Sequence, residues 1–306
     1  MSNVTAKVIA DSVSESGKRI TTFELEFHRF LLPEFNTHRM ISKNAASSRA
    51  IPVATMIANI EASPAIPLYW GKNQAGMSAK EECDEPIVAK GGINDNLQSF
   101  EFDKETWWKD SARIACYKAR LMAEAGYHKQ IVNRLTEPFQ MIKVVATATE
   151  WDNFFWLRKN ADSQPEIRIL AEKMWEARQQ SEPVKLTSDD WHTPYFGAGY
   201  WLKDCGIPLE DALAISSSCC AQVSYRKTDD SLEKAKMVYA RLVESEPVHS
   251  SPFEHCAKPV DQSKHDWEQD GVTSFHKRLG IMSGNFAGWI QFRQLINNNT
   301  CWEYKE

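Results

Sequence analysis

The stretch Asn36-Thr-His-Arg-Met-Ile-Ser-Lys-Asn-Ala-Ala-Ser-Ser-Arg49 concentrates two Arg, one Lys, one His, two Asn and three Ser in fourteen positions. No apolar face with a period of 2 or 3.6 residues runs through it, so the pattern favours neither a core strand nor a core helix. Its backbone N–H groups, Ser hydroxyls and the guanidinium of Arg49 are suited to hold a phosphate. The side chains of His38, Arg39 and Asn44 suit the edge of a planar heterocycle. An anion-binding loop and a plain solvated loop are both consistent with this composition.

Composition places the chain among globular proteins without general affinity for nucleic acid. The 306 residues, 42% of them hydrophobic, are enough for a substantial core in one large domain or two modest ones. A net charge of −5, from 36 basic and 41 acidic residues, argues against duplex binding but permits a local basic pocket. We expect no membrane span and no signal peptide, and therefore a cytoplasmic protein.

Cysteine usage indicates a reducing compartment and no metal site. The seven Cys residues are an odd number and include no Cys-x-x-Cys pair. Cys219 and Cys220 are adjacent, which is a poor arrangement for binding one metal ion together.

Hydrophobic patterning predicts both strands and helices in the first half of the chain. Residues 4–10 and 20–27 form two predicted strands, with a hairpin turn at residues 14–18. Residues 144–158 are predicted to be a strand that turns into an aromatic-rich segment. Helices are predicted over residues 30–39, 54–61, 105–125 and 129–135, and from Pro165 onward.

The second half is predicted to contain two further helices. One begins near Pro208, and the next is capped by Asp230 with Glu233 three residues on. Residues 181–200 are polar and are interpreted as a connector. In the first half, residues 69–99 are interpreted as a surface excursion, either a plain loop or a segment that touches a ligand.

The polar stretch also carries a recognisable spacing. His-Arg-x-x-Ser-x-Asn-x-x-Ser-x-Arg, from His38 to Arg49, resembles the signature loop of the flavin-dependent thymidylate synthases, which methylate dUMP. This chain departs from that signature in two places, because Thr37 stands where the family has its first Arg and Ala45 replaces an acidic residue.

A middle block resembles the same family. Arg134 precedes Pro138 by four residues, and Asn153-Phe-Phe-Trp-Leu-Arg158 is followed by Gln164 and Glu166, as in that family. The family's His four residues after this Arg is Asp162 here.

A third block, in the second half, resembles the N-terminal part of those enzymes. It consists of Ala221-x-Val-Ser-Tyr225, a helix, and then His249-x-Ser-Pro-Phe-Glu-His255. Because this block comes first in the family and last here, we hypothesise a circularly permuted chain. Residues 286–295 resemble the helix that leads into the signature loop, so the new termini would lie near that helix, and Arg293 would supply the cation missing at Thr37.

The resemblance implies an α/β (α+β) fold in which helices flank an antiparallel sheet. Residues 1–180 would carry the signature loop and the nucleotide-binding half, and residues 181–306 the Ser-Pro-Phe-Glu-His block, both within one compact domain. It further implies a homotetramer with active sites between subunits.

The resemblance also implies a substrate, a cofactor and a role for each site residue. FAD would carry hydride, with NADPH and methylenetetrahydrofolate as cosubstrates, because side chains cannot supply that chemistry. Arg158 and His255 are the expected catalytic residues. The expected dUMP-binding residues are Ser47, Ser48, Arg49, Arg134 and Arg158. The expected flavin- or folate-side contacts are His38, Arg39, Asn44, Asn153 and His255.

Structural alternatives exist for these residues. Arg134 and Arg158 lie beside helix ends, where cations are common. His255 and Glu254 could form a surface pair, and Asn153 could satisfy backbone groups in an aromatic core.

Three hypotheses for function follow. The first is the ordinary synthase, which converts dUMP to dTMP. The second keeps the fold and folate but releases a 5-hydroxymethyl or other modified nucleotide, as a virus with unusual DNA bases would require. The third is a nucleotide-binding homologue that has lost the flavin. Colour of the purified protein separates the third from the others, and product analysis separates the first two.

Overall fold

The computed structural model describes residues 4–76, 78–91, 98–224 and 228–304. Tyr225, the last residue of one predicted motif, lies outside the described residues, as do Met77 and residues 92–97 of the predicted surface excursion. No helix within the described ranges has both the length and the apolar character that a membrane crossing requires.

The described ranges contain fourteen strands and eight α-helices. The strands are β1 (Thr5–Ser14), β2 (Arg19–His28), β3 (Ser42–Ala45), β4 (Ile87–Gly91), β5 (Gln98–Phe102), β6 (Met141–Ala148), β7 (Val184–Leu186), β8 (Trp191–His192), β9 (Tyr200–Trp201), β10 (Ala257–Pro259), β11 (Ser274–His276), β12 (Gly280–Ser283), β13 (Phe286–Ala287) and β14 (Trp289–Gln291). The helices are α1 (Leu32–Asn36), α2 (Val53–Ala62), α3 (Lys104–Glu124), α4 (Lys129–Val132), α5 (Asp152–Arg158), α6 (Pro165–Gln179), α7 (Leu209–Ala221) and α8 (Leu232–Val243).

The largest sheet has five strands in the order β3-β6-β2-β1-β7. Its neighbours are antiparallel except for β1 and β7, which run parallel. The predicted mixture of an antiparallel sheet and helices is therefore present. Strand β7 comes from the second half of the chain, so both halves contribute to this sheet.

The two faces of this sheet have different partners. Because side chains alternate along a strand, Phe23 and Leu25 of β2 point to one face, and both are buried against α5 and α6. Helix α6 buries a stripe that recurs every three or four residues, formed by Ile167, Leu170, Ala171 and Met174. Full burial of each large aliphatic or aromatic side chain stabilises the fold by about 1.5–3 kcal/mol.

Thr22 is the residue before Phe23 and therefore lies on the opposite face. Its hydroxyl bonds with His192 of β8, which belongs to a second sheet of order β14-β10-β8-β9. Hydrophilic side chains thus occupy part of the contact between the two sheets.

Helices α2 and α3 form a separate apolar cluster with the 3-10 helix Asn133–Phe139. Helix α3 begins after Asp103, whose carboxylate accepts hydrogen bonds from the N–H groups of Glu105 and Thr106, and it ends near Gly126. The helix predicted over residues 105–125 is therefore confirmed within one residue at each end.

The helix expected at residues 286–295 is wrong. The segment forms β13, β14 and the 3-10 helix Phe292–Leu295. Gly288 has a φ of +71°, and a Cβ there would lie 2.9 Å from the side chain of Lys18, so the chain turns at this point instead of continuing a helix. The hypothesis of a circular permutation consequently depends on the order of the motifs alone.

Three smaller expectations also need correction. Residues 181–200 contain β7 and β8, whose two or three residues are too short to show alternation. Ser231 caps α8, with its hydroxyl accepting from the N–H of Lys234, where Asp230 was expected. The polar stretch contains β3, which is paired through its backbone and so needs no apolar pattern.

Candidate active site

Residues from separate parts of the sequence meet at the first turn of the polar stretch. Arg158, at the end of α5, donates from Nε to Nε2 of His38 at 2.9 Å and forms an ion pair with Glu34. Because an arginine cannot accept a hydrogen bond, Nε2 of His38 must be the acceptor, and a neutral ring then carries its hydrogen on Nδ1. Burial, followed by the positive charges of Arg158 and Lys43, lowers the pKa of His38 to about 4.

Lys43 connects this turn to the Ser-Pro-Phe-Glu-His block. Its ammonium donates to the backbone carbonyl of His38 at 2.7 Å and lies 5.6 Å from the ring centre of Phe35. Burial lowers the pKa of Lys43 to about 8, while the charge of Glu254 acts to raise it. Strand β3 packs against the 3-10 helix Ser251–Glu254 that contains this glutamate.

Arg293 pairs with Glu254 and donates to the carbonyl of Asn299 at 3.2 Å. Thr37, whose missing cation Arg293 was expected to replace, donates its hydroxyl hydrogen to the carbonyl of Glu34 at 2.7 Å. None of the contacts among the described residues joins Arg293 to Thr37, and the replacement stays a prediction.

The other end of β3 leads into the expected phosphate-binding residues. The N–H of Ser47 donates to the hydroxyl of Ser224 at 2.9 Å, which links the stretch to the third motif block. The buried amide of Asn133 donates to the carbonyls of Ser48 and Ile51, at 2.7 and 3.0 Å. The loop after β3 is therefore held against the segment that carries Arg134.

The arginines at this end differ in their partners. Arg49 is exposed, and its guanidinium takes no part in the hydrogen bonds or ion pairs of the described residues. Arg134 is also exposed but donates to Glu137 at 2.7 Å, and Glu137 pairs with Arg29 at 2.9 Å as well. Arg49 is consequently the freer of the two cations for binding an anion.

A cavity of about 660 Å³ borders this loop. The residues that flank the expected phosphate binders, Ala46 and Ile51, line it together with Lys143, Ser224 and one side of α2. Its volume lies within the range of small-molecule pockets, roughly 300–1,000 Å³.

Three of the expected flavin-side residues lie at the surface or beside the third block. Arg39 and Asn153 are exposed, and their side chains form no hydrogen bond or ion pair within the described part of the chain. Asn44 donates from its amide to the carbonyl of Cys220 at 3.3 Å, at the end of α7. These positions leave Arg39 and Asn153 available to a ligand.

His255 lies deep between the two sheets and is 0% exposed. Its Nδ1 is 2.8 Å from the hydroxyl of Thr147, and its Nε2 has no hydrogen-bond partner. The alternative of a surface pair with Glu254 is wrong, because Glu254 pairs with Arg293 and His255 is sealed from solvent. Burial, with a smaller effect from His192, lowers the pKa of His255 to about 3.

A second buried histidine, His192, was not expected at this site. Its Nε2 is 2.8 Å from the hydroxyl of Thr22 and its Nδ1 is 2.9 Å from the hydroxyl of Ser12. Thr22 and Thr147 are direct neighbours on β2 and β6, with their hydroxyls 2.8 Å apart. The sequence signal for this arrangement was a threonine in each of two strands, because a threonine hydroxyl requires a polar partner when it is buried.

Comparison with known proteins gives structural similarity at low sequence identity. No protein-family model matches the chain, and no curated protein matches it either. The chain is similar to a UMP/dUMP methylase, PolB from Streptomyces cacaoi bound with 5-Br UMP, at 16% identity and a TM-score of 0.42, over 59% of this chain and 90% of that one. It is also similar to the flavin-dependent thymidylate synthase ThyX from Helicobacter pylori complexed with FAD and dUMP, at 19% identity and a TM-score of 0.33, over 52% and 67% of the two chains.

Proposed function

We propose that this chain is an enzyme that acts on dUMP and transfers a one-carbon unit to its uracil ring, with FAD as the hydride carrier. The observation that carries the proposal is the meeting of all three motif blocks around β3. Arg158 reaches it through His38, Ser224 through Ser47, and the Ser251–Glu254 helix by direct packing. These blocks were identified from sequence alone, and a chance resemblance would not require them to be neighbours.

The phosphate of dUMP is assigned to the loop after β3. Ser47 and Ser48 would supply hydroxyls there, and Arg49 and Arg134 would supply guanidinium donors. The adjacent cavity has room for a nucleotide. Arg158 is assigned to the uracil edge. Its contacts with Glu34 and His38 hold the guanidinium in one orientation, which is the condition for stabilising charge that develops on a ring during reaction.

The residues near the turn fit a flavin in part. Arg39 and Asn153 are exposed without internal partners, and the unpaired Nε2 of His255 is a buried polar atom that lacks an acceptor or donor. Arg39, Asn153, Asn44 and His38 would hold the flavin from the turn, whereas His255 is sealed from solvent and its assignment to the flavin side stays a prediction. When bound, FAD would supply the hydride that side chains cannot provide. The proposal includes the ordinary product dTMP, methylenetetrahydrofolate as carbon donor, NADPH as reductant and a homotetramer with shared sites.

The first test is the absorbance spectrum of the purified full-length protein, with and without added FAD, followed by titration with dUMP. A bound yellow flavin whose absorbance band shifts with dUMP supports the proposal, because both ligands then occupy one site. A colourless protein that ignores FAD but binds dUMP favours the nucleotide-binding homologue. A protein that binds neither ligand overturns the assignment.

A variant localises the site. We expect Arg49→Ala to weaken dUMP binding by about 10- to 100-fold, because a hydrogen bond to a charged group contributes about 1.5–3 kcal/mol. Arg113→Ala is the matched control, since Arg113 is an exposed arginine of α3 that pairs with Asp110 outside the loop. Equal dUMP affinities for the two variants would contradict the assignment of the phosphate to this loop.

A further inference from the structure

The two buried histidines are the ends of a continuous chain of hydrogen bonds that links the two sheets. From one end the chain is Ser12, His192, Thr22, Thr147 and His255, with four links of 2.8 to 2.9 Å. All five residues are 0% exposed. The chain ends at Nε2 of His255, which has no partner.

The number of hydrogens in this chain restricts its arrangement. Each link needs one hydrogen, each hydroxyl has one to donate, and each neutral imidazole has one on either Nδ1 or Nε2. Both rings are neutral near pH 7, because burial lowers the pKa of each to about 3.

One arrangement begins with the hydrogen of His192 on Nδ1. That N–H donates to Ser12, so Nε2 of His192 accepts the only hydrogen of Thr22. Thr147 must then donate to Thr22, and Nδ1–H of His255 must donate to Thr147. In this arrangement both histidines carry hydrogen on Nδ1, and Nε2 of His255 is an acceptor.

The other arrangement reverses every link. Ser12 donates to Nδ1 of His192, whose Nε2–H donates to Thr22, which donates to Thr147, which donates to Nδ1 of His255. Both histidines then carry hydrogen on Nε2, and Nε2 of His255 is a donor. If the two histidines had different tautomers, either one hydroxyl hydrogen would have no acceptor or one link would have no hydrogen. A buried polar group without its partner costs about 1–3 kcal/mol.

We infer that Thr147, Thr22 and His192 are positioning residues that couple the tautomer of His255 to that of His192. Nε2 of His255 is an acceptor or a donor according to the direction of the whole chain, without any change in net charge. The coupling stands independently of the proposed function. Its use by a bound ligand rests on that function, because only there is His255 assigned to the flavin side.

The experiment is ¹⁵N NMR of the full-length, ligand-free protein labelled at its histidine rings, at pH 7. Ring-nitrogen shifts distinguish Nδ1–H from Nε2–H tautomers. The expected result is that His192 and His255 have the same tautomer and that neither is charged. A pair with different tautomers, or a charged ring at either position, overturns the inference.

Variants test whether the coupling passes through Thr147. Thr147→Val removes the hydroxyl from two links, and we expect the ring-nitrogen shifts of His255 to change. Thr147→Ser keeps the hydroxyl and should restore the wild-type tautomer pair. Thr21→Val is the matched control, because Thr21 is the neighbouring buried threonine of β2 and its hydroxyl donates to Asp11 at 3.0 Å, outside the chain. Shifts at His255 that stay unchanged in Thr147→Val also overturn the inference.

The outcome does not depend on any one variant. If Thr147→Val fails to fold, the wild-type tautomer pair and Thr147→Ser still decide. Adding FAD and then dUMP to the same sample separates the two proposals. Matched tautomers with no response to either ligand would keep the coupling and reject the proposed function.

Discussion

His38 and His255 were both expected on the flavin side, yet the fold places them in opposite environments. His38 lies among charges at the turn before β3, between Arg158 and Lys43. His255 lies between two sheets, at one end of a buried chain of hydrogen bonds. Their pKa values are both low, at about 4 and about 3. Burial is the largest cause at both residues, and the cations Arg158 and Lys43 add to it at His38.

The difference shows two ways of keeping a histidine neutral in one defined tautomer. An arginine that can only donate makes Nε2 of His38 an acceptor, and this control acts over a single contact. At His255 the control acts over four contacts and reaches β1. A substitution of Arg158 alone should therefore free the tautomer of His38. The tautomer of His255 should instead respond to changes made at the far end of its hydrogen-bond chain.

The largest expected effect comes from His192→Phe. This change leaves the hydroxyl of Ser12 buried without a partner, at a cost of about 1–3 kcal/mol in the free energy of unfolding, and it leaves Thr22 with Thr147 alone. His38→Phe should cost less, about 0.5–1.5 kcal/mol, because Arg158 keeps its ion pair with Glu34 near solvent. Urea unfolding of both variants measures the difference, and equal losses would contradict the distinction between the two environments.

Acid should destabilise the protein through the same histidines. Unfolded histidines bind protons near pH 6.5, whereas His192 and His255 in the folded protein do so only near pH 3. The unfolded state therefore binds more protons between these values, and the free energy of unfolding should fall as the pH falls from about 6.5 to 3. His192→Phe should flatten this dependence, as measured by urea unfolding of both proteins across this pH range.

Arg158→Gln should change the pKa of His38 and leave His255 unaffected. Removing the positive charge should raise the pKa of His38 from about 4 towards its ordinary value, although burial will keep it below that value. An NMR titration of the histidine rings gives the result directly. A simultaneous change at His255 would show that the two environments are connected.

The smallest expected effect is at Lys43. Glu254→Gln removes the charge that raises the pKa of Lys43, so that pKa should fall further below about 8. A larger fraction of neutral amine at pH 8 should then increase acylation of Lys43 severalfold at most, as measured by mass spectrometry. The other lysines of the same sample are the control, and uniform acceleration would point to general loosening of the fold.

Elements with a strong local pattern were predictable from sequence. The alternation around Phe23 and Leu25 gave β2, and the helical spacing after Asp103 gave α3. Short strands were missed because two or three residues, such as Trp191 and His192, carry no period. Residues 286–295 were misassigned because the expectation rested on their resemblance to a helix of the family, while pairing with β10 and the turn at Gly288 decide against a helix here.

The site residues that belong to one sequence motif were predictable. The relations between residues that lie far apart in sequence were not. The motif spacing led to His38, Arg49 and Arg158, which the fold places around one strand. The relation of Thr22, Thr147 and His192 was hidden, because it depends on strand register and on the stacking of two sheets. The burial of His255 was also hidden, since a histidine next to a glutamate has the same sequence pattern at a surface as in a core.

Strand β3 has one further consequence, which concerns protection from self-association. It is the outermost strand of its sheet, and such a strand offers unpaired backbone groups on which another chain can add a strand. Here the flank of β3 is covered by the end of α7, through Asn44 and Cys220, and by the Ser251–Glu254 helix. The segments that assemble the proposed site therefore also block a route to aggregation, so a chain that lost them would lose colloidal stability together with its binding site.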